Sequence, residues 1–270
     1  MPQPMLRLRP RAQPYGQAPD FDVIFPDMKL VSILIVAMAT NAAAAQNCIK
    51  APYSFATTDA ERQLAAIHAS IAPALGRFPS LATALKTTSP DLCLSDQLDN
   101  AHAFYDLDRN RIVIDSRLSK GMQAAVLLHE IRHVSQFTLG ACPTDDLAMK
   151  QYARAVFALE ADASAISMLI SWDMKEFGDD TVWAALSTWP SQADIAKSFA
   201  DQMANSGDAP LAVTAAFYQW YDSETRREKY YIAACSAYLD RQDASHALPV
   251  YRVIPDTFLD TLCRLPDGST

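Results

Sequence analysis

His129, Glu130 and His133 stand in the order His-Glu-x-x-His, with Ile131 and Arg132 between them. On a helix, residues four apart lie one above the other with Cβ atoms roughly 5–6 Å apart, close enough for two imidazoles to hold one tetrahedral ion. Glu130 projects about 100° further round the helix, from where its carboxylate reaches a water beside the ion rather than the ion itself. The chemistry open to such a trio is hydrolysis. An ion acidifies water and polarises a carbonyl, while a carboxylate takes the proton and passes it to the leaving group. Ala124 to Leu128 precede the motif, and Ile131, Val134 and Phe137 lie within or after it, so the helix should be deeply packed. Burying two histidines and a glutamate is costly unless an ion or a full set of hydrogen bonds satisfies them.

A hydrolytic ion needs a third protein ligand and one open position. Leu139 stands six residues beyond His133, and Gln136 stands where an extended three-histidine motif has glycine, so that arrangement is excluded. The following apolar stretch, residues 155–172, carries only two charges, Glu160 and Asp162. An isolated acid in an apolar helix requires a counter-charge. Glu160 is the preferred third ligand, and Asp162 is either its replacement or an outer partner that orients a histidine.

These residues carry a resemblance. His129-Glu-Ile-Arg-His133 on one helix, with a glutamate on the next, resembles the gluzincin branch of zinc metallopeptidases, and the likeness extends over residues 102–172. It implies His129, His133 and Glu160 as zinc ligands, Glu130 as general base and acid, and a β-strand beside the cleft just before the active-site helix. The chain departs from that pattern at Ser164, where many gluzincins have an aspartate supporting a ligand histidine. The chain is also similar to a group of uncharacterised bacterial metallopeptidases with a His-Glu-x-Arg-His-x-x-Gln core, which Gln136 completes.

The elements that must position these residues are mostly helices. Thr58 with Glu61 has capping-box spacing ahead of Leu64, Ile67 and Ile71, predicting a helix to about Leu75. Residues 78–99 read as a short helix followed by loop. Residues 101–115 read as a hairpin turning at Asp108, Arg109 and Asn110. Helices are then predicted from Lys120 to about Leu139, closed by Gly140, and from about Leu147 to Trp172. Further helices fall near Thr181–Ser187, at Gln192–Ala204 and, as one long element, at about Ala209–Asp240. The last thirty residues read as an irregular tail. The expected fold class is α+β, predominantly helical and zincin-like, with a small sheet or hairpin beside the active-site helix.

Other candidate residues have plainer readings. Tyr218, Trp220, Tyr221, Tyr230 and Tyr231 form an aromatic stretch that reads first as core, although one tyrosine could steady an oxyanion. His68 and His102 read as structural, and His246 as surface. Arg132 is expected to pair with Asp106 or Asp115.

Composition bounds the rest. The 270 residues are half hydrophobic with a formal net charge of −8 and no basic runs, which argues against nucleic acid or an anionic membrane surface as partner. A peptide or protein substrate fits better, and oligomeric state is not legible. Residues 28–45 read as a secretory signal: Lys29 begins it, the apolar run from Leu30 to Ala39 is too short to span a bilayer, and Ala43 and Ala45 set a cleavage site. The expected product is exported, periplasmic or extracellular, without a stable membrane anchor. Residues 1–27 lack the character of a leader and read as a non-native upstream extension, leaving 46–270 as a single catalytic domain. Cys48, Cys93, Cys142, Cys235 and Cys263 all lie in that exported part, where one or two disulfides are expected. Two rivals to a peptidase stand: a non-catalytic zinc-binding module, and a zinc amidase acting on a non-protein, cell-wall amide.

Overall fold

The capping box at Thr58 sets the first long helix: the Thr58 hydroxyl accepts the Glu61 N–H at 3.1 Å while the Glu61 carboxylate accepts the Thr58 N–H at 2.9 Å. In the computed structural model, which describes residues 47–98, 101–246, 248, 250–262 and 264–267, this helix is α1 (Asp59–Leu75). It follows β1 (Cys48–Ile49) and precedes α2 (Pro79–Thr88), β2 (Asp91–Ser95), β3 (Ala103–Asp106) and β4 (Arg111–Asp115). Then come α3 (Lys120–Thr138), α4 (Met149–Glu176), α5 (Thr181–Thr188), α6 (Ala193–Ser206), α7 (Ala209–Asp222), α8 (Glu224–Ser245) and α9 (Phe258–Leu262). The class is α+β, mainly helical. The segment read as an export signal, residues 28–45, and the extension before it lie outside the described residues, as does Cys263.

The four strands form one mixed sheet in the order β1-β2-β4-β3. The predicted hairpin is β3 and β4, turning through Asn110 at φ 45°. β2 corrects the reading of residues 78–99 as helix and loop. Leu92, Cys93 and Leu94 are buried, and β2 runs parallel to β4 with Leu92 opposite Ile112. A strand this short, with a continuous apolar centre, has no alternating pattern to announce it. β1 pairs antiparallel with β2, and a disulfide joins Cys48 to Cys93 at that register. β1 and β3 are the two edge strands, and among the described residues β3 pairs with β4 alone.

α3 and α4 pass through the middle of the helical layer. Leu127, Leu128, Ile131 and Val134 of α3 share one core with Leu92, Leu94, Ile112 and Ile114 of the sheet and with Ala161, Ala165, Ile166 and Met168 of α4. Among the described residues α4 alone is long and apolar enough to cross a membrane, and that stretch is mostly buried within the protein. Its alanines and serines let α3, α7 and α8 pack against it. Gly121 opens α3 against α5, where an added Cβ would lie 2.7 Å from the Thr181 carbonyl oxygen.

The long helix expected over Ala209–Asp240 is two. Ser223 leaves helical geometry at φ −80°, ψ 110°, ends α7, and accepts the Arg226 N–H with its own hydroxyl to start α8. The periodicity runs through this break because both halves pack on α4. Among its described residues the tail is irregular apart from the end of α8 and α9, yet it is tied down: Arg252 bridges to Leu147 and Pro266 accepts from Ser80.

Candidate metal centre

α3 presents His129 and His133 on one face, one turn apart, and α4 brings Glu160 across from them. The two Nε2 atoms are 3.0 Å apart. Glu160 Oε2 lies 3.3 Å from His129 Nε2, and its Oε1 lies 3.5 Å from His133 Nε2. Ligand atoms around 2.0–2.2 Å from one tetrahedral ion are separated by roughly 3.3–3.6 Å from each other, so the two histidine–glutamate separations match the edges of such a site and the histidine–histidine separation is slightly shorter. The three side chains are 18–19 % exposed, which leaves one side of the cluster open.

The hydrogen bonds behind the cluster strengthen this reading. His133 Nδ1 lies 2.7 Å from Gln136 Oε1, an oxygen that can only accept, so the proton sits on Nδ1. His133 Nε2 then faces His129 Nε2 and the Glu160 carboxylate. A proton on His129 relieves one of these contacts. A cation among them satisfies all three donor groups at once.

Glu130 is 6 % exposed, and its carboxylate also comes within 4.8 Å of both histidine ligand atoms. Burial, together with the charge of Glu160, pushes its pKa up to about 7 against the pull of His133 and of the Tyr105 backbone N–H on β3. Two carboxylates thus flank the imidazoles in different settings. Glu130 meets the edge strand, whereas Glu160 lowers its pKa against burial through His133 and His129 and through the Tyr230 hydroxyl, which donates to it. The Glu160 charge and burial raise Tyr230 well above the ordinary phenol range. Of the five aromatic candidates on α7 and α8, Tyr230 hydrogen-bonds to Glu160 in the cluster. The break at Ser223, which the sequence reading ran through, is what starts the helix that carries it.

Asp162 stands apart from the two imidazoles. It accepts Arg132 Nε at 2.6 Å, Arg132 Nη2 at 3.0 Å and Gln136 Nε2 at 2.7 Å. This corrects the expected pairing of Arg132 with Asp106 or Asp115. Those two acids are held on the sheet by Arg109 and Arg111 and by Arg117. Arg132 is on the buried side of α3, facing α4, where the sheet acids cannot reach. Ser164, one turn after Glu160, has a buried hydroxyl without a hydrogen-bond partner among the described residues.

The centre floors a cleft of about 1170 Å³. β3 lines one side with Ala103, Phe104 and Tyr105, and the start of α8 lines another with Arg226, Lys229 and Tyr230. His102 reaches this cleft and meets the Trp189 ring edge-on at 4.9 Å. His68 packs on Tyr53, and His246 ends α8 on the surface.

His129, Glu130 and His133 form a donor group of the kind that can hold a metal ion, with Glu160 beside it on the floor of the cleft. A family model described as "Putative metallopeptidase family (DUF6782)" matches residues 42–270, and the chain belongs to that family. No curated protein and no solved structure matches the chain.

Proposed function

We propose that this protein is an exported zinc peptidase with a zincin-like centre, in which His129, His133 and Glu160 hold the ion and Glu130 moves the proton. The observation that carries the proposal is the mutual approach of two imidazole nitrogens and a carboxylate to 3.0–3.5 Å on the floor of an open cleft. Membership in a metallopeptidase family implies a metal and supports the same reading. Zinc suits a nitrogen and oxygen donor set of this size.

When bound, the ion supplies Lewis acidity, which acidifies water and polarises a carbonyl. The protein's own residues do the rest. The outer edge of β3, beyond the Tyr105 N–H that meets Glu130, offers backbone groups to an extended peptide, which aligns the scissile bond along the cleft. Glu130 takes the proton of the attacking water on its carboxylate and gives it to the departing nitrogen. The Tyr230 hydroxyl donates its one proton to Glu160 and fixes that carboxylate. The secretory pattern of residues 28–45 and the Cys48–Cys93 disulfide support an exported protein.

Metal content by plasma mass spectrometry, with hydrolysis of a peptide panel, tests this. Wild type should hold about one zinc per chain. His133→Ala and Glu160→Ala should lose it, Asp162→Ala should lose less, and Glu130→Gln should keep it while losing activity about 10²- to 10⁴-fold. A wild type that takes up no zinc when it is supplied sinks the proposal. Hydrolysis of cell-wall amides with no peptide cleaved would turn the reading to an amidase.

A further inference from the structure

We propose that Gln136 is the positioning residue of His133, and that Asp162, Arg132 and the C-terminal segment hold Gln136 in place. This rests on the metal centre proposed above and names the part of the chain that orients it. Gln136 lies three residues after His133 on α3, so its side chain reaches the ring nitrogen that faces away from the centre. The 2.7 Å contact from His133 Nδ1 to Gln136 Oε1 fixes the tautomer and turns Nε2 towards His129 and Glu160.

The orientation of the Gln136 amide is itself determined. Its Nε2 donates to Asp162 Oδ2 at 2.7 Å and to the Leu159 carbonyl at 2.9 Å, so Oε1 must face His133. The negative charge of Asp162 at the donor end of the amide strengthens the acceptor at the other. Asp162 is fixed in turn by two hydrogen bonds from Arg132, and Arg132 Nη2 also donates to the carbonyls of Leu262 at 2.9 Å and Arg264 at 3.1 Å. Every member from Arg132 to Gln136 is nearly inaccessible to water, at 1–4 % exposed. An unmet partner there would be costly, which keeps the chain of contacts intact. No such support comes from the turn after Glu160, where the Ser164 hydroxyl makes no hydrogen bond among the described residues.

The test is zinc affinity of the full chain, measured by competition with a chromogenic chelator, for wild type, Gln136→Met and Gln136→Glu. Gln136→Met keeps the length and removes both ends of the amide, and it should bind zinc about 10- to 100-fold more weakly. Gln136→Glu returns an acceptor to His133 and should bind within a few-fold of wild type, although its second carboxylate beside Asp162 lowers the melting temperature. Unchanged affinity in Gln136→Met overturns the proposal, as does an equal loss in both variants, which would make the side chain mere packing. If Gln136→Met does not fold, the zinc-loaded wild type labelled with ¹⁵N-histidine decides. A His133 proton on Nδ1, slow to exchange, supports the proposal, and its absence overturns it. A wild type without zinc affinity removes the metal reading beneath, a result distinct from all of these.

Discussion

Arg132 and Asp162 form an ion pair sealed between α3 and α4, with their side chains 1 % and 6 % exposed. Neither charge reaches water, and each is compensated by the other and by hydrogen bonds to neighbours. Such a pair contributes little net stability compared with apolar packing, but breaking it leaves a bare charge in the core.

Arg132→Met is therefore expected to cost about 3–5 kcal/mol in urea or thermal unfolding, because Asp162 is left without its cation. The double change Arg132→Met with Asp162→Leu should be less destabilising than the single one. A double variant as unstable as the sum of the two single ones would mean the pair does not act as a unit.

Gly121 and Gly76 should respond oppositely to alanine. At Gly121 the new methyl meets the Thr181 backbone oxygen at 2.7 Å, so α3 must move off α5, at a cost of about 1–3 kcal/mol. Gly76 has ordinary right-handed helical angles, and its nearest neighbour would sit at 3.4 Å. Alanine there should be neutral or stabilise by about 0.4–1 kcal/mol through the unfolded chain. Denaturation midpoints of the two variants check both signs.

His68 gives the fold a pH dependence of known direction. Burial beside Tyr53 lowers its pKa below the usual value of 6.5, so the folded state prefers the neutral ring. The unfolded state binds the proton first as pH falls. The contribution is fully present above about pH 6.5 and is lost as pH drops from there through the folded pKa. His68→Phe keeps a ring against Tyr53 and removes this component. The stability of wild type relative to that variant should fall between pH 7 and pH 5, and a constant difference would count against the assignment.

Tyr230→Phe separates packing from hydrogen bonding at the centre. The ring rests on Trp220 with centroids 5.3 Å apart, a contact that phenylalanine keeps. Glu160 loses its hydroxyl donor. Zinc affinity should fall about tenfold, in line with loss of an outer partner of a ligand, with the melting temperature nearly unchanged. Retained affinity with lost hydrolysis would instead assign the hydroxyl to the substrate alone.

The motif His129-Glu130-Ile131-Arg132-His133 determined its own local geometry, because a four-residue spacing on any helix stacks the two imidazoles. The Thr58 and Glu61 cap, the Gly140 stop after α3 and the β3–β4 hairpin were likewise local, carried by neighbours a few residues apart. Glu160 was legible as one of two acids in an apolar helix, since a buried charge demands a partner. What the partner would be was not local. That Glu160 meets the histidines while Asp162, two residues on, meets Arg132 depends on how α4 is rotated against α3. One step of about 100° round the helix per residue points two nearby acids at different neighbours. β2 escaped notice because its pairing with β4 is a long-range choice, and the break at Ser223 because an apolar stripe continues through it. The selection of Tyr230 from five aromatics, and of Gln136 as the acceptor for His133, rests on contacts among α3, α4 and α8. Spacing along the chain fixes which groups share a helix face, and only tertiary packing decides which faces meet.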